Sequence, residues 1–364
     1  MKRRKKNFPA QAIHSLRTPA PGTPASPVPR KRIWLFRFVS ATLSPLLFFL
    51  LLEAALRLAG FGHPVSFLLS ARINRQESLI QNDRFAWRFL GRQMARQPFP
   101  LAISKVKSPD TVRVFVFGES AAFGDPQPEF GLPRMLQALL SERFASTRFE
   151  VVNAAMTAIN AHAVLPIARE CAADNGDVWV IYLGNNEVVG PYGAGTIFGA
   201  RAPPLPLVRA SLALRATRTG QGIESLLAWL KPAPAAKAEW GGMQMFINNQ
   251  IRQDDPRMSV VYANYRQNLA NILGAGQRCG AKIVLSTVAA NLTGCAPFAS
   301  LHRPDLNPTE LDTWDQWFRR ARQRSKPAAL RKRSNIIAGL RNLIKLSPSS
   351  ASGWVNVACC WVKR

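Results

Sequence analysis

Four short stretches of the chain are dominated by β-branched, aromatic and other apolar residues. They cover residues 112–117, 149–153, 178–183 and 282–288. Their lengths suit strands, and the near-absence of alternating polar positions is typical of strands buried on both faces, as in a parallel sheet. We therefore predict a strand at each of these four places.

Helices are predicted in the intervals between the strands. Apolar residues recur at helical spacing over residues 132–140, and a second helix is predicted over 162–175, directly before a glycine. A third apolar stripe covers residues 258–273 and is closed by Gly274 and Gly276. Strands that alternate with helices in this way predict an α/β fold with a doubly wound parallel sheet, a flavodoxin-like three-layer architecture.

The predicted α/β domain covers residues 109–311. A Gly- and Pro-rich stretch, 189–257, interrupts its rhythm and contains one predicted helical piece near 205–230. We interpret this stretch as an insertion over the carboxyl edge of the sheet, where an element that covers the substrate would lie. Residues 61–108 are interpreted as a packed lead-in without chemistry; a juxtamembrane helix over residues 72–96 is the alternative.

One apolar stretch near the N-terminus, residues 33–60, predicts a transmembrane signal anchor. Its uncharged part, residues 38–52, is short for a span, but Arg37 at one end and Glu53 with Arg57 at the other can lie at the interfaces. The basic cluster before it predicts a cytoplasmic N-terminus and a domain on the outer side of a bacterial-type inner or plasma membrane. A cleaved signal peptide and an amphipathic core helix remain alternatives.

The formal charge of +27 first suggests a nucleic-acid-binding protein. However, residues 1–32 carry nine Lys and Arg residues, residues 319–364 carry twelve, and neither end contains an acidic residue. The excess charge therefore belongs largely to the two ends, and the centre has no basic face with interleaved aromatics. We predict a basic, disordered cytoplasmic tail over residues 1–32 and no nucleic-acid partner.

The five cysteines do not have metal-ligand spacing, and neither a metal nor another cofactor is predicted. Cys279 and Cys295 flank a predicted strand. They could form a disulfide only if the loop after the strand doubled back. The cysteines leave the redox compartment open.

Three of the predicted strands are followed by turns with polar or small residues. The first turn contains Gly118, Glu119 and Ser120, the second covers residues 153–160, and the third covers residues 184–187. In a parallel sheet all three turns lie at one edge, where open α/β sheets bind ligands. Acyl transfer requires a nucleophilic hydroxyl and hydrogen-bond donors for the oxyanion, both of which such loops supply.

The order and spacing of these turns resemble the SGNH (GDSL-type) hydrolases over about residues 110–300. Gly118-Glu119-Ser120 resembles the nucleophile block, with Glu where Asp is usual. Residues 153–160 resemble the second block, with Ala155 where the family has its glycine. Gly184-Asn185-Asn186-Glu187 resembles the G-x-N-D block, again with Glu for Asp.

The resemblance implies a role for each of these residues. Ser120 would be the nucleophile, and its backbone N–H, that of Ala155 and the side-chain amide of Asn186 would form the oxyanion hole. Gly184 and Asn185 would contribute to substrate binding. Alanine at 155 keeps the N–H but would crowd the acyl group, and it would strain the turn if φ is positive there.

The family's Asp-x-x-His block, which supplies the general base, is missing from this sequence. None of the histidines has Asp three residues before it. His302 follows the fourth predicted strand and is the candidate substitute base, with His162 as a weaker one; a structural role is the alternative for both. After residue 311 a short, basic helical tail is predicted, and residues 335–346 resemble a tetratricopeptide repeat. The final stretch fits neither pattern, so we predict a truncated or frameshifted end.

Two functions are compatible with this sequence. The first is a membrane-anchored SGNH-type esterase, acyl (acetyl) hydrolase or acyltransferase that acts outside the cytoplasm on an ester-bearing lipid, glycan or small molecule and is impaired by loss of the base. The second is a non-catalytic ligand-binding or scaffold protein with a hydrolase-like fold. In either case the C-terminal helices could bind a protein partner.

Overall fold

The computed structural model describes residues 30–230, 240–290, 301–302 and 304–324. Most of the predicted basic tail, the repeat-like segment and the final stretch lie outside the described residues. The chain forms two units, residues 1–55 and 56–364, which are considered separately.

The first unit contains most of a long helix, α1 (Arg30–Leu58), with Pro45 inside it. Within α1, Phe36–Leu58 has a mean hydropathy of 1.9 and is not buried against protein. By length and composition this stretch can cross a membrane, as the sequence predicted. Proline is tolerated in such a helix.

The centre of the second unit is a four-stranded parallel sheet in the order β5-β4-β6-β7. The strands are β4 (Thr111–Gly118), β5 (Arg148–Asn153), β6 (Val178–Tyr182) and β7 (Lys282–Ser286). They coincide with the four strands predicted from the sequence, although the predicted ends at 183 and 288 are slightly too long. The predicted α/β class with a parallel sheet is confirmed. The prediction that all four strands are buried on both faces is wrong for β7, which lies at the end of the strand order and has Val284 52% and Leu285 49% exposed.

Helices pack on both faces of this sheet, as a doubly wound fold requires. They are α3 (Ser120–Phe123), α4 (Leu132–Arg143), α5 (Ala161–Cys171) and α8 (Arg257–Arg278). Leu136 of α4 packs with Val116 on one face, whereas Ile272 of α8 joins Phe117 and Trp179 in the main core on the other. The prediction that Gly274 and Gly276 close the helix that begins near residue 258 is wrong, because α8 continues to Arg278. A Cβ at Gly276 would lie 2.7 Å from the Trp179 ring, so glycine permits close helix–sheet packing there.

The lead-in forms a three-stranded antiparallel sheet, not a juxtamembrane helix. Its elements are β1 (Leu68–Ile73), β2 (Gln76–Gln81), α2 (Trp87–Leu90) and β3 (Ala102–Ser104). Phe67, Phe85 and Phe89 of this segment are buried in the same core as Phe115 of β4. Glu170 of α5 fastens it further, because its Oε2 accepts hydrogen bonds from the N–H groups of Phe67 at 2.6 Å and Leu68 at 3.2 Å.

The insertion contains two helices where the sequence predicted one. These are α6 (Leu205–Ala216) and α7 (Arg218–Leu230), and a 3-10 helix follows at Gly242–Asn249. Thr217 has an extended backbone and separates the two helices, and its hydroxyl oxygen accepts the N–H of Gly220 at 2.9 Å. A further helix, α9 (Pro308–Arg324), follows the sheet.

Candidate active site

The three polar turns emerge side by side at the carboxyl edge of the sheet. In the register of the parallel strands, Val116 lies beside Asn153 and Gly118 beside Tyr182. A Cβ at Gly118 would lie 2.1 Å from the Tyr182 carbonyl oxygen and 2.5 Å from the Ala122 Cβ. Glycine is therefore required where β4 ends, and it lets the serine turn approach β6 closely.

Ser120 is the first residue of α3 and is half-buried. Its carbonyl oxygen accepts hydrogen bonds from the N–H groups of Gly124 at 3.0 Å and Asp125 at 3.1 Å. Within the described part of the chain, neither its hydroxyl nor its N–H has a hydrogen-bond partner. The serine is thus held by its backbone while its hydroxyl remains available.

Glu119, next to the serine, fastens the first turn to the third. Its fully buried Oε2 accepts the N–H groups of Asn185 at 2.5 Å and Asn186 at 3.0 Å. The side-chain amide of Asn186 in turn donates to the Ile159 carbonyl oxygen at 2.9 Å, which fixes it against the second turn. One N–H of that amide remains for another acceptor. The structure therefore brings the turns of Ser120 and Asn186 together.

Ala155 does not have the environment expected for an oxyanion donor, because its N–H donates to the Asn153 Oδ1 at 3.2 Å and its φ is not positive. The left-handed residue of this turn is Ala158, with φ of 68°, where glycine is favoured. Among the described residues, no acceptor contacts the Ala158 N–H. The Ala155 N–H is thus already hydrogen-bonded, and the backbone conformation that favours glycine is found at Ala158.

Glu119 and Glu187 form a buried carboxyl pair that the sequence analysis did not identify. Burial, followed by the nearby charge of Glu187, raises the pKa of Glu119 well above its usual value. Burial also raises the pKa of Glu187 to about 7. Hydrogen bonds from the Ala161 N–H at 2.8 Å and from the Glu119 carboxyl group lower this pKa, but burial has the larger effect. Among the described residues, no hydrogen-bond partner contacts the Glu119 Oε1.

The two remaining predicted binding residues lie in the third turn. Gly184 has φ of 131°, a conformation that side-chain-bearing residues rarely adopt. Asn185 is buried, and no hydrogen-bond partner contacts either polar atom of its side chain in the described structure. The Thr157 hydroxyl in the second turn is also buried without a partner there. With the Glu119 Oε1 in the first turn, unpaired polar groups are thus present in all three turns.

His302 is placed by a ring contact rather than by a hydrogen bond to the serine. Its imidazole packs edge-on against Trp314 of α9 at 4.3 Å between ring centres, and its carbonyl oxygen accepts the Arg252 Nη1 at 2.9 Å. Of the described residues, none links it to Ser120 by a hydrogen bond. The structure therefore gives His302 no contact that a general base requires.

His162 is a buried residue in the first turn of α5. Its Nδ1 accepts from the Asn268 Nδ2 at 3.0 Å, and its ring packs against Tyr192 at 5.6 Å. Burial, with a smaller effect from Arg209, lowers the pKa of His162 to about 4. It is therefore neutral near pH 7, and its contacts are those of a structural histidine.

No cluster of three or more His, Cys, Asp or Glu side chains that could hold a metal occurs among the described residues. Cys171 is buried and Cys279 is exposed, and both are free thiols. Cys295, which could pair with Cys279 only if the loop after the strand doubled back, lies outside the described residues.

Comparisons with known proteins leave the family open. Neither a protein-family model nor a curated protein matches the chain. Among solved structures, TesA is 17% identical with a TM-score of 0.20, covering 46% of this chain and 99% of its own. AlinE4, described as an SGNH-hydrolase family esterase, is 15% identical with a TM-score of 0.26, covering 61% of this chain and 100% of its own. These TM-scores are too low to carry an argument about this chain.

Proposed function

We propose that this chain is an SGNH-type serine esterase or acyltransferase, held in a membrane by α1 with its α/β domain on the outer side. Its substrate would be an ester-bearing lipid, glycan or small molecule. The observation that carries this proposal is the Glu119 carboxyl group, which hydrogen-bonds to the backbone of Asn185 and Asn186 and so joins the turns of Ser120 and Asn186.

In the proposed reaction, the Ser120 oxygen attacks the ester carbonyl carbon. Negative charge then develops on the carbonyl oxygen and would be stabilised by the N–H groups of Ser120 and Ala158 and by the free N–H of the Asn186 amide. The serine proton needs an acceptor, and no described histidine contacts the hydroxyl. Without the base, a triad enzyme retains about 10³–10⁴-fold acceleration over water, so we expect an impaired enzyme.

The first test is covalent labelling of the detergent-solubilised full chain with a fluorophosphonate probe. Labelling should occur in the wild-type chain and in Ser141→Ala, an exposed serine control, but not in Ser120→Ala. The second test adds imidazole as a diffusible base to a p-nitrophenyl acetate assay. A rate increase that requires both Ser120 and Asn186 supports a site that lacks its base. Equal rates in wild-type and Ser120→Ala chains would refute the esterase proposal.

The unpartnered Ser120 hydroxyl also favours a second candidate, a non-catalytic protein that binds an acylated or glycan ligand at the same edge, with the C-terminal helices for a protein partner. This candidate predicts ligand binding without fluorophosphonate labelling. Binding that is lost in Asn186→Ala and retained in Ser120→Ala would support it over the esterase.

A further inference from the structure

The second half of α7 exposes apolar side chains on every side. All eight residues from 223 to 230 are exposed, and six of them are apolar. Trp229 is 79% exposed and Leu230 is 63% exposed. A helical segment that is apolar all round is normally buried in protein or in lipid, and exposed patches of this kind mark interaction sites.

The neighbouring helix α6 extends this surface. Leu207 and Leu214 are 63% and 54% exposed. The two helices together carry three arginines and one acidic residue, Glu224, which lies 3.8 Å from Arg215. Exposed leucines and a tryptophan beside an excess of arginine are typical of surfaces that enter the interface of an anionic bilayer.

A buried hydrogen-bonded pair fastens α7 to the segment that follows α1. The His63 N–H donates to the Gln221 Oε1 at 2.9 Å, and the Gln221 Nε2 donates to the His63 carbonyl oxygen at 3.1 Å. Gly62 fits closely beside this pair, because a Cβ there would lie 2.4 Å from the Gln221 Oε1. The position of α7 is therefore tied to residue 63.

Residue 63 lies only five positions beyond Leu58, the last residue of α1. Even fully extended, five residues reach about 18 Å, and the turn after Leu58 shortens this reach because the Phe61 N–H donates to the Leu56 carbonyl oxygen at 2.9 Å. Chain connectivity together with the His63–Gln221 hydrogen bonds thus places Gln221 near the point where a membrane-spanning α1 would leave the bilayer. The exposed half of α7 then has a length of about 12 Å.

We propose that α6 and α7 form a lipid-docking surface, with residues 223–230 of α7 inserted between the headgroups and acyl chains of the membrane that α1 crosses. Its binding partner is the lipid bilayer, whose interface covers the apolar side chains while the exposed Arg209 of α6 contacts anionic headgroups. This proposal rests on the membrane anchoring in the proposed function and is independent of the esterase chemistry.

The test reconstitutes the full chain in vesicles of phosphatidylethanolamine and phosphatidylglycerol that contain a lipid with a photoactivatable diazirine in its acyl chain. After illumination, adducts are mapped on tryptic peptides. Peptide 38–57 comes from α1, peptide 219–237 contains the exposed half of α7, and peptide 135–143 of α4 is an exposed apolar control. We expect adducts in 38–57 and 219–237 and none in 135–143.

Matched variants assign the adducts to the apolar side chains. Leu227→Glu with Leu230→Glu should lose the adducts in peptide 219–237 and keep those in 38–57, because both leucines are exposed and contribute little to folding. The control, Met135→Glu with Leu139→Glu, should keep both sets. Adducts in peptide 38–57 alone would overturn the docking proposal. The same pattern would result if a second copy of the chain covered α7 instead of lipid, and it would overturn the proposal in that case too. Absence of adducts from both peptides would overturn the anchoring as well, which separates the two failures.

Discussion

Replacing Glu187 by glutamine tests whether the buried carboxyl pair holds a proton. Glutamine keeps the acceptor for the Ala161 N–H and offers Glu119 a donor, but it cannot ionise. Burial raises the pKa of Glu187 from 4.5 to about 7. The stability that the protonated group contributes is therefore complete below about pH 4.5 and is lost as the pH rises through about 7. At 1.36 kcal/mol for each pKa unit, the loss is about 3 kcal/mol.

The assay is thermal unfolding of the full chain in detergent micelles between about pH 5 and about pH 8. The Glu187→Gln chain should lose less stability with rising pH, and its Tm at the alkaline end should exceed that of the wild type by roughly 6–12 °C, at about 2–4 °C for each kcal/mol. The pKa of His162 is lowered to about 4, so the stability that its neutral form contributes is lost as the pH falls below about 6.5. This pH dependence is opposite in sign to that of Glu187. Both chains retain His162, so the comparison cancels it. Parallel curves for the wild type and Glu187→Gln would refute the reasoning, and the exposed Glu142→Gln serves as control.

Three further substitutions test the backbone of the site. Ala158→Gly should raise the free energy of unfolding by about 1 kcal/mol because it relieves a left-handed alanine, whereas Ala155→Gly should lower it; urea unfolding of both checks this, and an equal effect at the two positions would contradict it. Gly118→Ala should lower the unfolding free energy by about 1–3 kcal/mol or more, since its Cβ would lie 2.1 Å from a carbonyl oxygen; an unchanged urea midpoint would show that β4 and β6 do not approach so closely.

The parallel sheet was predictable because continuous apolar residues are typical of its strands. The burial of each strand was less predictable, since β4 is buried along most of its length whereas Val284 and Leu285 of β7 are exposed. Helix ends were less predictable. Gly276 would end a helix by its own conformational preference, but here it accommodates the Trp179 ring, which is more than 90 residues away in the sequence. The break at Thr217 was missed because a single extended residue hardly changes the apolar spacing on either side.

The candidate site was partly predictable for a related reason. Ser120 and Asn186 directly follow strands, so the topology alone places both at one edge. The sequence indicates Ala155 for the glycine position and does not indicate Ala158, because alanine does not reveal its backbone conformation. Only the φ of 68° identifies Ala158 as the position that favours glycine. The pairing of Glu119 with Glu187 depends on how two turns pack, which the sequence does not show. The one signal for it in the sequence was the acidic residue Glu119 beside Ser120.

The lead-in sheet has a consequence for dividing this protein into parts. A fragment beginning at residue 109 would remove Phe67, Phe85 and Phe89 from the core and leave the Glu170 carboxylate without its two backbone donors. The autonomous folding unit therefore includes the lead-in, and a fragment meant to keep this core complete has to begin before Phe67.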